Sequence, residues 1–225
     1  TDHKGRSPLI YAIKGNHVNC IRMLLEQEDI DINQEYKGNN FLKYACLKNH
    51  IESFEFLNNS IAFDPNEPCA DGRVILVVAI ENNNVAIARS ILSKSGVKVN
   101  IDTKDGKTPL IIACELAEVE MVKLLIDHDN IKLNKPASAD GTTPLMAAAK
   151  SGNVQILNMI IQADDIDIFA KNKFGMTAIY FAFLSEQIEA VKFLIPLFSD
   201  KLNDKTETGE NLLQIACKRG NYELA

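Results

Sequence analysis

The sequence predicts an all-α solenoid of seven helix–turn–helix repeats, and three observations carry that prediction. Glycines Gly5, Gly38, Gly72, Gly106, Gly141, Gly175 and Gly209 recur at intervals of 33, 34, 34, 35, 34 and 34 residues. Seven places after each stands an alanine: Ala12, Ala45, Ala79, Ala113, Ala148, Ala182 and Ala216. Four places after each stands Leu9, Leu42, Leu76, Leu110, Leu145, Ile179 or Leu213. A register held along all 225 residues marks units that pack on their neighbours, so residues 1–225 read as one repeat domain whose last repeat is cut short.

Each repeat is read in order from its glycine. The first helix opens three places later, where Pro8, Pro109 and Pro144 occupy a first turn that has no use for their missing N–H. Ser7, Thr108 and Thr143 precede them as caps. The recurring alanine lies on the inner face, where a small side chain lets helices approach closely. Eleven places after the glycine stand Asn16, Asn49, Asn83, Ala117, Gly152, Glu186 and Gly220. Five of these seven are Asn or Gly, the residues that tolerate the left-handed conformation closing a helix. A second helix follows, with Leu24, Leu57, Ile91, Leu125, Ile160 and Leu194 at one shared position. Pro196 is expected to end the sixth of these early.

The connector back to the next repeat carries Asn33, Asn66, Asn100, Asn134, Phe169 or Asn203, always 28 places after the glycine. From that marker to the next glycine the interval runs 5, 6, 6, 7, 6 and 6. All length variation therefore sits in one short segment. A packed segment cannot change length without losing register, so these segments are expected to be exposed tips, the longest being residues 135–140.

The motifs at these positions resemble the ankyrin-repeat family. Thr108-Pro109-Leu110 and Thr143-Pro144-Leu145 match its Thr-Pro-Leu opening, and Ser7-Pro8-Leu9 nearly does. Gly152-Asn153-Val154, Asn16-His17-Val18 and Asn49-His50-Ile51 stand where the family has Gly-His-Leu, and Asp31-Ile32-Asn33 and Lys98-Val99-Asn100 where it has Asp-Val-Asn. The resemblance implies β-hairpin-type loops projecting between the repeats. The family's histidine after Thr-Pro-Leu is missing throughout, replaced by Ile10, Lys43, Val77, Ile111, Met146, Tyr180 and Gln214, which puts its bond to threonine in doubt. Repeats two and three lack the opening motif.

The resemblance also implies where a partner is held: hairpin tips and first helices form a cupped, concave face. Its positions are the two residues before each glycine, the one after, and those nine and ten places after. Counted over seven repeats, these 35 positions carry +5 while the chain carries −6, leaving −11 on the other 190. The basic candidates are Lys4, Arg6, Lys14, Lys37, Lys48, Arg73, Lys104 and Lys107, joined by Tyr36. They suit an acidic partner segment. Lysine near the end of the first helix is also a family habit, which accounts for some of this charge without a partner. Phe174, Met176 and Leu184 form a second, apolar candidate surface, or else pack against one another.

Several chemistries find no residues. The sequence pI of about 5.3 argues against nucleic acid as a partner. No apolar run has the length of a membrane span, and Thr1-Asp2-His3-Lys4-Gly5 lacks the build of a signal peptide. His3, His17, His50 and His128 have no metal-ligand spacing, and no phosphate loop, nucleophile elbow or calcium-loop pattern occurs. Cys46, Cys114 and Cys217 share a register position in repeats too far apart to pair, and read as core thiols of a reducing compartment. Asn58-Asn59-Ser60 is a formal glycosylation sequon with no role in such a compartment.

The expected function is that of a non-enzymatic, cytoplasmic and monomeric protein-interaction scaffold, without catalytic residues, metal or cofactor. A competing expectation is the recognition portion of a larger enzyme, channel or effector. The chain opens inside a hairpin and stops at Asn221-Tyr222-Glu223-Leu224-Ala225, where no polar capping repeat is evident. A third is that the marker asparagines, which resemble positions hydroxylated in some ankyrin proteins, are themselves a substrate. A structural hydrogen-bonding role would explain their recurrence equally.

Overall fold

In a computed structural model, residues 2–3, 5–27, 34–60 and 63–219 are described. Lys4, the Asp31-Ile32-Asn33 motif, Gly220 and residues 221–225 lie outside them. The chain divides into two compact units, Thr1–Lys98 and Val99–Ala225. The N-terminal unit holds repeats one to three: α1 (Pro8–Lys14), α2 (Val18–Leu25), α3 (Phe41–Leu47), α4 (Ile51–Ser60), α5 (Ile75–Glu81) and α6 (Val85–Leu92). The C-terminal unit holds repeats four to seven. Its helices are α7 (Pro109–Glu115), α8 (Val119–Ile126), α9 (Pro144–Ser151), α10 (Val154–Ile161), α11 (Ala178–Leu184), α12 (Ile188–Leu194) and α13 (Leu212–Arg219). Within each unit, first helices pack on first helices and second on second, as α1, α3 and α5 do in one and α7, α9 and α11 in the other. The fold is all-α, an ankyrin-type stack of helix pairs.

The recurring alanines are sealed in this packing. Ala45, Ala79, Ala113, Ala148, Ala182 and Ala216 are fully buried and Ala12 nearly so. Asn16, Asn49, Asn83, Ala117, Gly152 and Glu186 all take positive φ, between 48° and 77°. The turn between helices thus demands the left-handed region even where alanine or glutamate must supply it. Cys46 and Cys114 are buried free thiols, whereas Cys217 of α13 is exposed. Pro196 acts as expected: α12 stops at Leu194 and the chain continues as a 3₁₀ helix, Ile195–Lys201.

Caps follow the sequence unevenly. Thr108 and Thr143 accept hydrogen bonds from the N–H groups of Ile111 and Met146, but Ser7 makes no such bond. Repeat two, without the motif, is capped by Asn40, which accepts from Lys43 N–H at 2.9 Å. Repeat seven has a reciprocal box, in which Gln214 N–H donates to Asn211 and Asn211 N–H to Gln214. Where the family histidine is missing, Lys43 and Tyr180 reach forward instead. The Lys43 ammonium donates to Pro68 O and pairs with Glu67 at 2.6 Å, and the Tyr180 hydroxyl donates to Asp204 O at 2.6 Å.

The variable intervals correspond to different turns. The usual tip is closed by bonds such as Thr103 N–H to Lys107 O and Gly106 N–H to Thr103 O, both 2.9 Å, a three-residue hairpin ending in a left-handed glycine. The short connector of repeat two closes in two residues between Tyr36 and Asn39, with Lys37 and Gly38 both at positive φ, the type I′ pattern. The long connector of repeat five spans one residue more, from Ala137 N–H to Thr142 O. In the C-terminal unit successive tips are tied by main-chain bonds: Ser138 N–H to Gly106 O, Lys173 N–H to Asp140 O and Glu207 N–H to Phe174 O.

Three of the marker asparagines have a structural hydrogen-bonding role. Asn66, Asn100 and Asn134 each donate through Nδ2 to the next loop, at Gly96 O, Asn130 O and Asp165 O. Each also accepts through Oδ1 from the N–H of Lys98, Lys132 and Asp167. Both ends of the amide are used, which accounts for the recurrence of asparagine. Phe169 breaks the series and stacks edge-on against Phe198, with Lys201 Nζ 4.3 Å from its ring centre.

One position in the inter-helix turns is out of keeping. His50, Asn84 and Gln187 occupy it with side chains that donate hydrogen bonds, to Ile13 O, Asn49 Oδ1 and Ser185 O. In repeat four it is Glu118, whose Oε2 is buried without a partner among the described residues. Burial pushes its carboxyl from 4.5 up to about 7. The folded state therefore holds the proton more firmly than the unfolded chain. Stability falls as pH rises from about 4.5 to about 7 and levels off above, by about 1 kcal/mol once the residue's half-exposure is discounted. Glu118→Gln is expected to remove that slope and gain about 1 kcal/mol at about pH 8, read as the parent–variant difference in urea unfolding at several pH values.

Candidate functional site

The positions one and nine places after each glycine bring the base of a hairpin beside the end of the first helix. In repeats three, four and seven they hold opposite charges that pair: Arg73 with Glu81, Lys107 with Glu115 at 2.6 Å, and Glu210 with Lys218 at 3.0 Å. In repeat six the same positions hold Met176 and Leu184, both half-buried. In repeat one they hold two cations, Arg6 and Lys14. Repeats one, two, five and six lack the neutralising pair, and repeat one alone places a cation at both positions.

Arg6 is compensated from within its own tip. Asp2 accepts from Arg6 Nε and from the Tyr11 hydroxyl, both at 2.8 Å, which raises the Arg6 and Tyr11 pKa values above their ordinary ones. Arg73 is bound by Asp71 as well as Glu81, and these bonds raise its pKa also. Of the basic residues expected at the face, Arg6, Arg73 and Lys107 are thus already paired. Lys14, Lys37 and Lys48 are exposed and have no carboxylate partner among the described residues. Lys104 is exposed on the tip of repeat four, and Lys4 lies outside the described residues.

These three lysines all belong to the N-terminal unit; in the C-terminal unit Lys150 of repeat five is likewise exposed and has no carboxylate ion pair among the described residues. Lys14 and Lys37 line one open cleft of about 460 Å³ with Gly5, Arg6, Glu35 and Tyr36. Lys37 Nζ lies 5.6 Å from the Tyr36 ring centre and Lys48 Nζ 5.8 Å from that of Tyr44, and the two rings meet edge-to-face at 5.3 Å. Arg6 stands over Tyr11 at 4.7 Å, whose ring is 46% exposed. Aromatic faces so placed hold the cations without discharging them. Sequence reasoning passed over Tyr11 and Tyr44, although both stand six places after their glycine, a shared register that signals a shared face.

The apolar candidate does not hold together as one exposed surface. Phe174 is 54% exposed on the tip of repeat six, while Met176 and Leu184 are half-buried at positions that carry ion pairs in other repeats. The sequon asparagine Asn58 is buried, with Nδ2 donating to Ser90 Oγ, and is not available to a glycosyl transferase in the folded chain. Among the described residues no three or more His, Cys, Asp or Glu side chains come together as a metal site. None of their helices is long and apolar enough to cross a membrane.

Comparison with known proteins agrees with this geometry. Residues 1–69 and 76–172 match the family model for ankyrin repeats (3 copies). The crystal structure of the ankyrin repeat domain of Bcl-3, described as a unique member of the IkappaB protein family, superposes with a TM-score of 0.78. It is 18% identical, over 95% of each chain, and so shows the fold alone. In sequence the chain is similar to potassium channel AKT2/3 of Arabidopsis thaliana, 31% identical over 56% of this chain. It is also similar to the human transient receptor potential cation channel subfamily A member 1, 27% identical over 52%. A third relative is ankyrin repeat and SAM domain-containing protein 6 of Danio rerio, 23% identical over 55%. The chain spans only 15%, 11% and 17% of the length of these three relatives. With helix pairs, left-handed inter-helix turns, tied hairpin tips and a family match over most of its length, the chain belongs to the ankyrin-repeat family.

Proposed function

We propose that the protein is a non-enzymatic interaction module whose N-terminal unit binds an acidic segment of a partner protein. Ankyrin repeats are in general protein-interaction modules, and the acidic specificity rests on one observation. The two positions that neutralise each other in repeats three, four and seven are both cationic in repeat one, where Lys14 has no described partner. Lys37, Lys48 and Tyr36 extend that charge, and Arg6 and Lys4 belong to the same repeat-one set; Arg73, Lys104 and Lys107 are peripheral in this reading. Phe174 is the apolar contact of the C-terminal unit, flanked by Met176 and Leu184. The free thiols Cys46, Cys69 and Cys114 suit a reducing compartment such as the cytoplasm.

The test uses a fluorescein-labelled peptide of alternating glutamate and glycine. Lys14→Glu with Lys37→Glu is expected to weaken its binding about tenfold or more and to flatten its salt dependence. The same charge change at Lys123 and Lys132, on the other unit, is expected to alter it about twofold at most. Equal losses from both pairs would leave only a net-charge effect. A second reading is favoured by the relatives: two of the three are channels of which the chain matches a small fraction, so it acts as the recognition portion of a larger membrane protein.

A further inference from the structure

The acidic-partner reading leaves open which anion the N-terminal unit takes, and the state of its cations narrows the choice. The only guanidinium among the described residues lining the cleft belongs to Arg6, and its Nε and one terminal nitrogen are engaged by Asp2. One bidentate edge of that fork is therefore taken and its charge is offset by the Asp2 carboxylate, so it adds no net charge for a further anion. What remains are ammonium groups, compact point charges whose attraction grows with the charge of the ligand and which impose no planar geometry. Lys14 and Lys37 both line the cleft, and Lys48 stands one ring beyond it, over Tyr44. The one carboxylate in the described cleft wall is Glu35, exposed and without an ion pair among the described residues. Three unpaired lysines against this carboxylate leave a local charge of +2.

A single carboxylate offsets half of that charge. A phosphate monoester carries about −1.5 to −2 on one centre near pH 7, with three acceptor oxygens that two ammonium groups can share. The Tyr36 hydroxyl, which makes no hydrogen bond among the described residues, supplies a further donor in the same wall. We infer that the cleft formed by Lys14, Lys37 and Tyr36, with Lys48 at its edge, receives a phosphorylated side chain of the partner segment. The inference rests on the acidic-partner reading and deepens it. Phosphorylation of the partner would then switch the interaction on.

Three fluorescein-labelled nonapeptides of glycine and alanine, carrying at the centre phosphoserine, two adjacent glutamates or serine, separate the possibilities by anisotropy. The phosphoserine peptide is expected to bind about tenfold more tightly than the diglutamate peptide, and that preference to vanish in Lys14→Glu with Lys37→Glu. Lys14→Ala with Lys37→Ala, which adds no like charge, is expected to remove most of it, and circular dichroism melting checks that both variants fold. Lowering the pH from about 7.5 to about 5.5 takes the phosphate through its second pKa near 6, so phosphoserine binding should weaken relative to diglutamate binding. Equal affinity of the phosphoserine and diglutamate peptides would overturn the phosphate while leaving the acidic partner in place. Binding of neither peptide above the Lys14→Glu, Lys37→Glu variant would overturn both. Inorganic phosphate that binds as tightly as the phosphopeptide would show a free anion site and overturn the partner segment.

Discussion

Ala148→Leu is expected to lower the stability of the C-terminal unit by about 3 kcal/mol, at the upper end of what overpacking costs. Helix α9 is tightly enclosed: Leu145, Met146, Ala147, Ala148 and Ala149 are each no more than 1% exposed. It lies between α7 and α11, and its run of three alanines lets both approach. Three added carbon atoms have no void to enter, so they must push both helix interfaces open at once or leave their rotamer. Urea unfolding of the variant, compared with Ala139→Leu on an exposed tip, measures the effect. A loss below about 1 kcal/mol would mean that the interface is looser than its burial implies.

Gly175→Val is expected to cost about 3 kcal/mol, from two sources that a control separates. Gly175 has φ of 73°, which a β-branched residue tolerates poorly. A Cβ there would also stand 3.1 Å from Glu207 N and 3.4 Å from the backbone of Thr206, in the next tip. That crowding opposes the bond from Glu207 N–H to Phe174 O. Gly209 has the same conformation, φ 79°, with nothing within 4 Å of its would-be Cβ. Gly209→Val should therefore lose only the backbone contribution, about 1–2 kcal/mol. Equal losses for the two valines would remove the close approach of tips as a cause.

The architecture was legible because stacking repeats one geometric demand at a fixed interval. A helix pair that must nest against identical neighbours needs a small residue at the same place each time, and the alanines record it. The turn conformation was legible for the asparagines, and the register carried it to Ala117 and Glu186, whose side chains alone would argue otherwise. The site was less legible. Charge at the expected face could be counted, but not whether Arg73 and Lys107 were spent on Glu81 and Glu115, because pairing depends on which way long side chains turn. Lys43 was equally opaque: a lysine in place of a histidine reads as exposed, yet it is 5% exposed and satisfied by Glu67 and Pro68 O. Phe174, Met176 and Leu184 are spaced as one surface, but the two positions that close on each other elsewhere draw Met176 and Leu184 partly inward.

The substitution of Phe169 for asparagine has a consequence for how the surface opens. The N–H groups of Lys98, Lys132 and Asp167 lie in loops, where water would ordinarily reach them within each brief fluctuation. Each is instead held by an asparagine from the repeat before, so solvent exchange there must wait for neighbouring repeats to separate. At the equivalent place after Phe169 the contact is a stack of rings and a cation, which shields carbon but holds no amide hydrogen. Deuterium exchange at Lys132 and Asp167 should therefore report separation of neighbouring repeats, whereas at Lys201 it reports only the opening of the 3₁₀ helix Ile195–Lys201.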